Sequence, residues 1–235
     1  MVTELAELFG TTEVTIRSDL TYLEKEGRIV RMAGGAVLPK EETEAASSVL
    51  RAFINVPEKV AIARRMAEEV QDGDILFINA GSTTCYFAEA LTAKKGLTVV
   101  TNSVKVAEVL GTVKGFRVLL LGGEFNAFDG FTYGNNVIEM INAVRAEFAV
   151  LSVDGMSPEE GVSTLHPEEV AVNRAMIRRA EKTVFLADYS KLGKTGFLWF
   201  ADLGNGKLLV TDDKADREVL RGLEEKGMDV IGASL

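Results

Sequence analysis

One cysteine and one histidine in 235 residues remove whole classes of chemistry at the outset. A lone Cys85 excludes an intrachain disulfide framework and a cysteine metal cluster, and with His166 as its one partner type, histidine-based zinc ligation is not expected either. No apolar run approaches the roughly 20 residues that cross a bilayer. Met1-Val2-Thr3-Glu4 has neither the basic nor the apolar region of a secretion signal, so a cytoplasmic location and no membrane partner are expected. Positive charge is also scarce: 26 Lys and Arg against 35 Asp and Glu give a net charge of −9. This argues against wholesale nucleic-acid binding, and any contact with DNA must be local. Low-complexity segments and internal repeats are absent, and no cofactor motif occurs.

What is present is apolar: 47% of the chain, enough for one large core and a small appendage. The organising stretch is Ile75-Leu76-Phe77-Ile78-Asn79-Ala80-Gly81-Ser82-Thr83-Thr84. An apolar run breaks at small residues and continues into hydroxyl residues, after which Phe87, Ala88 and Leu91 recur at helical spacing. The pattern predicts strand, tight turn, helix. Gly81 would let a ligand approach the backbone, and Ser82, Thr83 and Thr84 would offer hydroxyls and N–H groups to a phosphate at a positive helix end. An ordinary strand-to-helix turn has the same composition.

Thr3 to Phe9 predicts a short helix that Thr3 can cap, and Thr12 is a good N-cap for a second helix to about Lys25. Ile16, Leu20 and Leu23 mark its buried face; Thr15, Ser18 and Tyr22 lie roughly opposite, with Arg17 flanking. Gly27 ends that helix, and Arg28-Ile29-Val30-Arg31 resembles a wing strand turning at Gly34-Gly35. Together these form a winged helix-turn-helix, whose second helix enters a major groove. A small helical cap on a larger domain is the alternative. Residues 1–40 carry five basic and six acidic side chains, so phosphate neutralisation would be thin. No helix precedes Thr3, although such a module normally uses a third helix to close its core.

Pro39 to Ser48 is charged and small-residued and reads as a linker. From Pro57 onward helical patterns alternate with β-rich runs: helix to Val70, strands at Leu97–Thr101, Phe116–Leu121, Phe148–Val153, Thr183–Ala187, Lys207–Thr211 and Met228–Ile231, helices between. Repeated βα units imply an α/β domain with a mostly parallel, Rossmann-like sheet. Ligands of such sheets sit beyond the C-terminal strand ends. There the sequence places Gly81 to Thr84, Thr101-Asn102-Ser103, Gly122-Gly123, Asp154-Gly155 and Asp188-Tyr189-Ser190-Lys191, a set suited to a small polar ligand. His166, Glu168 and Glu169 enter the following helix, where a solvated helix start is the simpler reading.

These residues are similar to the DeoR family of bacterial sugar-metabolism repressors. Leu5-Ala6-Glu7-Leu8-Phe9, Glu13 to Leu20 and Gly34-Gly35-Ala36 resemble its DNA-binding module. Gly81 to Thr84, Thr101 to Ser103, Leu121 to Gly123, Asp154-Gly155 and Asp188 to Gly193 resemble its sensor domain, whose fold is like ribose-5-phosphate isomerase without its chemistry. The resemblance implies a partial winged helix-turn-helix at 1–40 lacking its first helix, a linker at 41–56 and a sugar-phosphate sensor at 57–235. It implies a homo-oligomer that releases operator DNA when a phosphorylated sugar binds. Thr12, Thr15, Arg17, Ser18, Arg28 and Arg31 are then expected to face DNA. Gly81, Ser82, Thr83, Thr84, Asn102, Asp154 and Lys191 are expected to hold the effector, with the phosphate on Gly81 to Thr84 and Lys191. Two positions depart from the family pattern: Ser18 replaces the second of two arginines, and Asn79 stands where an aspartate is common. A sugar-phosphate isomerase using Asp154, Glu169 and Lys191 as acid and base is the alternative function.

Overall fold

The computed structural model describes residues 2–26, 28–32, 35–37 and 51–235. Gly27, Gly34 and the stretch 38–50, with most of the expected linker, lie outside the described residues. The chain divides into two units, Met1–Ser47 and Ser48–Leu235.

In the first unit α1 (Val2–Leu8) and α2 (Glu13–Lys25) precede a two-stranded antiparallel hairpin, β1 (Val30–Met32) with β2 (Gly35–Val37). Val2, Ala6, Ile16 and Leu20 make its small core, against which Leu5, Ile29 and Ala36 pack. Leu23, expected on the buried face, stays half-buried. Thr12 caps α2 as expected, its side chain accepting from the Thr15 N–H at 3.2 Å. Thr3 does not cap α1, which already begins at Val2; its hydroxyl instead donates to Glu13 Oε1 at 2.9 Å.

The second unit is built on seven strands in the order β14-β13-β11-β8-β3-β4-β5, every neighbouring pair parallel. These are β3 (Ile75–Ile78), β4 (Thr98–Thr101), β5 (Arg117–Leu120), β8 (Ala146–Ser152), β11 (Ala180–Leu186), β13 (Lys207–Asp212) and β14 (Asp229–Ala233). The chain runs outward from β3 to β5, then restarts on the other side of β3 at β8 and runs outward to β14. The sheet therefore reverses direction between β3 and β8, which defines a crevice beyond their C-terminal ends.

Both faces are covered, which is why the strands read as continuous apolar runs rather than alternating ones. Leu76 and Ile78 join Val99, Val150 and Val184 beneath α3 (Val56–Glu69), α4 (Ser82–Leu91) and α5 (Val104–Gly111). Phe77 points the other way, with Val100, Leu151 and Phe185, beneath α6 (Asn135–Asn142), α7 (Pro167–Arg179) and α8 (Arg217–Glu225).

Two smaller sheets were not expected. A hairpin joins β6 (Glu124–Asn126) to β7 (Phe131–Tyr133), and β9 (Gly155–Ser157), β10 (Gly161–Thr164) and β12 (Leu198–Ala201) form an antiparallel trio. The expected linker 41–56 also divides differently. Residues 51–56 pack on the second unit through polar ties: Tyr86 Oη donates to the Ala52 carbonyl at 2.9 Å, and Lys59 Nζ donates to the Arg51 and Ile54 carbonyls. Among the described residues no helix is long and apolar enough to cross a membrane.

Candidate functional site

The β3 end is fixed first by Asn79. Its Oδ1 accepts from the Ser152 N–H at 2.8 Å, and its Nδ2 donates to the Ser152 carbonyl at 3.0 Å and to Asn173 Oδ1 at 3.1 Å. Asn79 and Asn173 are buried, so Asn79 bolts β3 to β8 and α7. Gly81 has a similar reason. A Cβ built there would meet Ser152 Cβ at 2.4 Å and Oγ at 2.6 Å. What needs the missing side chain is the neighbouring strand, closer than any ligand.

The turn then opens α4 with no side-chain cap at Gly81. The helical ladder begins with the Cys85 N–H to the Gly81 carbonyl at 3.1 Å, so the N–H groups of Ser82, Thr83 and Thr84 lack helical acceptors. Their hydroxyls are another matter. Thr84 is fully buried and its Oγ1 donates to the carbonyls of Asn79 (2.9 Å) and Gly81 (3.0 Å); Thr83 is buried too. Of the three expected hydroxyls, Ser82 alone reaches the adjoining cavity. The anion-binding capacity of this turn thus lies in its backbone, and the expectation that all three hydroxyls serve a phosphate is corrected. That cavity, of about 460 Å³, is lined by Gly81, Ser82, Ser103, Ala52, Phe128 and Asp129 among others, a size suited to a small ligand.

Asn102 is buried beside it. Its Nδ2 donates to the Thr132 carbonyl at 3.0 Å and anchors the β6–β7 hairpin, while its Oδ1 has no hydrogen-bond partner among the described residues.

At the β8 end Asp154 Oδ2 accepts from the Leu165 N–H at 3.0 Å and from Thr164 Oγ1 at 3.1 Å. Its Oδ1 faces Arg51 Nη1 at 3.5 Å. Burial alone would raise the Asp154 carboxyl, but Arg51 and Lys191, with the Leu165 N–H, hold it below the usual range. Glu169 is pushed up to about 8 by burial and by the Asp154 charge, so at neutral pH it carries a proton. Thr164 Oγ1 donates to Glu169 Oε2, 2.8 Å away, and also stands 3.1 Å from Asp154 Oδ2. This satisfies a buried acid beside a carboxylate.

Lys191 sits in the short turn Tyr189–Lys191 after β11. Burial lowers its pKa while Asp154 opposes the shift, so these two expected site residues share one electrostatic neighbourhood. Lys191 does not line the cavity at Gly81 and Ser82. The cation between the two places is Arg51, which sequence reasoning left in the linker. It pairs with Asp129 Oδ1 as well as Asp154, each at 3.5 Å, with 14% of its side chain exposed. Lys59 is buried nearby, its pKa lowered to about 8 by desolvation against the pull of Asp188.

In the first unit Thr12, Thr15, Arg17, Ser18 and Arg28 are exposed and Arg31 is half-buried. Arg17 makes an exposed i,i+4 pair with Glu13 at 3.2 Å, a weak contact that solvent screens and that is easily given up. Arg31 Nη1 donates to the Arg17 carbonyl at 3.3 Å, which ties the hairpin to α2. Arg17, Ser18, Thr21, Tyr22 and Lys25 line one shallow groove along that helix.

A family model described as the DeoR-like helix-turn-helix domain matches residues 1–42, and one described as the DeoR C terminal sensor domain matches residues 54–213. The HTH-type transcriptional repressor GlcR of Bacillus subtilis (strain 168) is 34% identical over 97% of this chain and 88% of its own. The glycerol-3-phosphate regulon repressor of Escherichia coli (strain K12) is 31% identical over 94% of this chain and 88% of its own. Among solved structures, ribose 5 phosphate isomerase A from Neisseria gonorrhoeae aligns with a TM-score of 0.43 and 23% identity over 57% of this chain and 52% of that one.

Proposed function

From the premise that the chain belongs to the DeoR family of transcriptional regulators, we propose that it is a repressor of carbohydrate-metabolism genes that leaves its operator when a phosphorylated sugar binds the second unit. It is a DNA-binding regulator and not an enzyme, as its relatives' names imply. In this reading α2 enters a major groove, with Thr12, Thr15, Arg17 and Ser18 toward bases and backbone and Arg28 and Arg31 toward phosphates. The effector occupies the crevice between the ends of β3 and β8. Its phosphate rests on the backbone N–H groups of Ser82, Thr83 and Thr84 beside Gly81. Lys191 supplies positive charge, and Asp154 and Asn102 accept from sugar hydroxyls.

The observation that carries the reading is the uncapped start of α4 at the point where the sheet reverses, with a charged cluster on its far side. A helix end contributes only about half a positive charge, so a phosphate with nearly two negative charges needs a cation as well. A carboxylate such as Asp154 belongs at the hydroxyl end. We propose further that the working form is a homo-oligomer, supported by the edge strand β5 with Leu120 exposed.

The direct test is anisotropy of a labelled fragment of the promoter upstream of the chain's own gene, titrated with pentose and hexose phosphates and with the same sugars unphosphorylated. Release by a phosphorylated sugar alone is the expected result. Release by neither form, or by both equally, overturns the effector assignment. By linkage, the operator must weaken the sugar phosphate by the same factor.

A further inference from the structure

We propose that Arg51 is the anion-sensing residue of the effector site: it bridges Asp129 and Asp154, and a bound phosphate takes its guanidinium from Asp154. The proposal rests on the reading of the Ser82 to Thr84 backbone as a phosphate seat, and adds the group that registers its occupation.

Three features point to Arg51. First, its two ion pairs are both 3.5 Å long, well beyond the roughly 2.7–2.9 Å of a charge-assisted hydrogen bond. A guanidinium offers five donors in a fixed fork, and a phosphate accepts two of them side by side, so a change of partner gains geometry that the carboxylates do not give. Second, Ala52 and Asp129, its chain neighbour and its ion-pair partner, line the same cavity as Gly81 and Ser82. Third, a turn of Arg51 adds its charge to those of Lys105, which lines the cavity, and Lys191, which neighbours Asp154. Asp129 and Asp154 would repel a phosphate, while His166 Nε2 stands 3.6 Å from the other Asp129 oxygen.

The backbone around Arg51 is built to follow such a change. Its carbonyl is held by Lys59 Nζ at 2.5 Å and that of Ala52 by Tyr86 Oη. Asn55 is the one positive-φ residue other than glycine among the described residues, at φ 53°, and its Nδ2 donates to Asp188 Oδ1 at 3.1 Å. The segment is tied to the crevice by polar bonds at each step, and it follows directly in sequence the stretch that leads from the DNA-binding unit.

The experiment is calorimetric titration of inorganic phosphate into the full chain, its Arg51→Gln and Asp154→Asn variants, and the double variant. Arg51→Gln should weaken phosphate roughly tenfold or more, the scale of one charge-assisted bond. Asp154→Asn should tighten phosphate several-fold, and the double variant should lose that gain, because it is realised through Arg51. A gain that persists in the Arg51→Gln background is simple relief of repulsion and overturns the proposal, as does wild-type affinity in Arg51→Gln. Hydrogen exchange of the unmodified chain gives a readout that needs no variant. Phosphate should protect the amides of residues 82–84 and change exchange across 51–55. Protection at 82–84 with no change at 51–55 overturns the role of Arg51 and leaves the seat standing. No protection at 82–84 overturns both.

Discussion

Gly81→Ala is the sharpest test of the crevice geometry. Glycine's conformational freedom is not at stake, since its φ of 166° is extended backbone that alanine adopts. The cost is contact. The new methyl would lie 2.4 Å from Ser152 Cβ and 2.6 Å from its Oγ, where carbon atoms normally sit about 3.5–4.0 Å apart. The ends of β3 and β8 would have to part by about 1 Å. They are held by the paired Asn79–Ser152 hydrogen bonds of 2.8 and 3.0 Å, so parting strains or breaks these. Overpacking costs about 1–3 kcal/mol and the loss of one of these two hydrogen bonds about 1 kcal/mol, giving about 2–4 kcal/mol in all. For a unit of this size that is a fall in Tm of roughly 5–15 °C. Ser152→Gly removes both clashing atoms at a cost of about 0.5–1 kcal/mol alone. The double variant should therefore unfold within about 1 kcal/mol of wild type. Guanidinium unfolding of the four proteins measures the cycle. A Gly81→Ala chain as stable as wild type, or one that Ser152→Gly fails to rescue, would refute the close approach of the two strands.

Glu169→Gln removes a buried acid whose folded pKa of about 8 lies above its unfolded value, so in the native chain stability falls as pH rises between about 4.5 and 8. The variant should match wild type near pH 5 and exceed it by on the order of a few kcal/mol at pH 8, read from denaturant midpoints; an equal difference at both values refutes the buried protonated state. Lys191→Ala should weaken a phosphorylated sugar strongly while hardly changing its unphosphorylated counterpart, measured by calorimetry; equal loss for both removes Lys191 from the phosphate. Arg31→Ala should weaken DNA of every sequence alike and flatten the salt dependence by about one unit, and a loss confined to one operator sequence would instead make Arg31 a base reader.

The long central strands were legible because both faces of the sheet are covered, so Ile75 to Ile78 and Phe148 to Ser152 read as unbroken apolar runs. The cap at Thr12 was legible because serine, threonine and aspartate have a local reason to precede a helix. The strands β6, β7, β9 and β10 were not, since Glu124-Phe125-Asn126, Phe131-Thr132-Tyr133, Gly155-Met156-Ser157 and Gly161-Val162-Ser163-Thr164 mix polar and small residues and form no apolar run. Hydroxyls misled for a specific reason. Thr84 and Ser82 are both small hydroxyl residues, but the helical turn sends Thr84 back to the carbonyls of Asn79 and Gly81 and leaves Ser82 facing the cavity. Arg51 escaped notice because acidic and small residues precede it. The signal that could have found it is the apolar run Val49-Leu50 and Ala52-Phe53-Ile54 on either side, a poor composition for a solvated linker.

The reversal of the sheet has a kinetic side. The other strand pairs close shorter loops, as Leu76 does with Val99 and Val150 with Val184. The β3–β8 pair instead joins Leu76 to Phe148 and must close a loop that holds two whole strands, three helices and a hairpin. Loop closure of that length is the costliest in the sheet, and non-local pairing of this kind sets the pace of folding. Two half-sheets can assemble early, each with its own helices, while the cleft between them waits for this last pairing. The crevice beyond β3 and β8 therefore comes into being only when these two strands have paired. Any small molecule that fills it favours, by mass action, the chain in which these strands are paired.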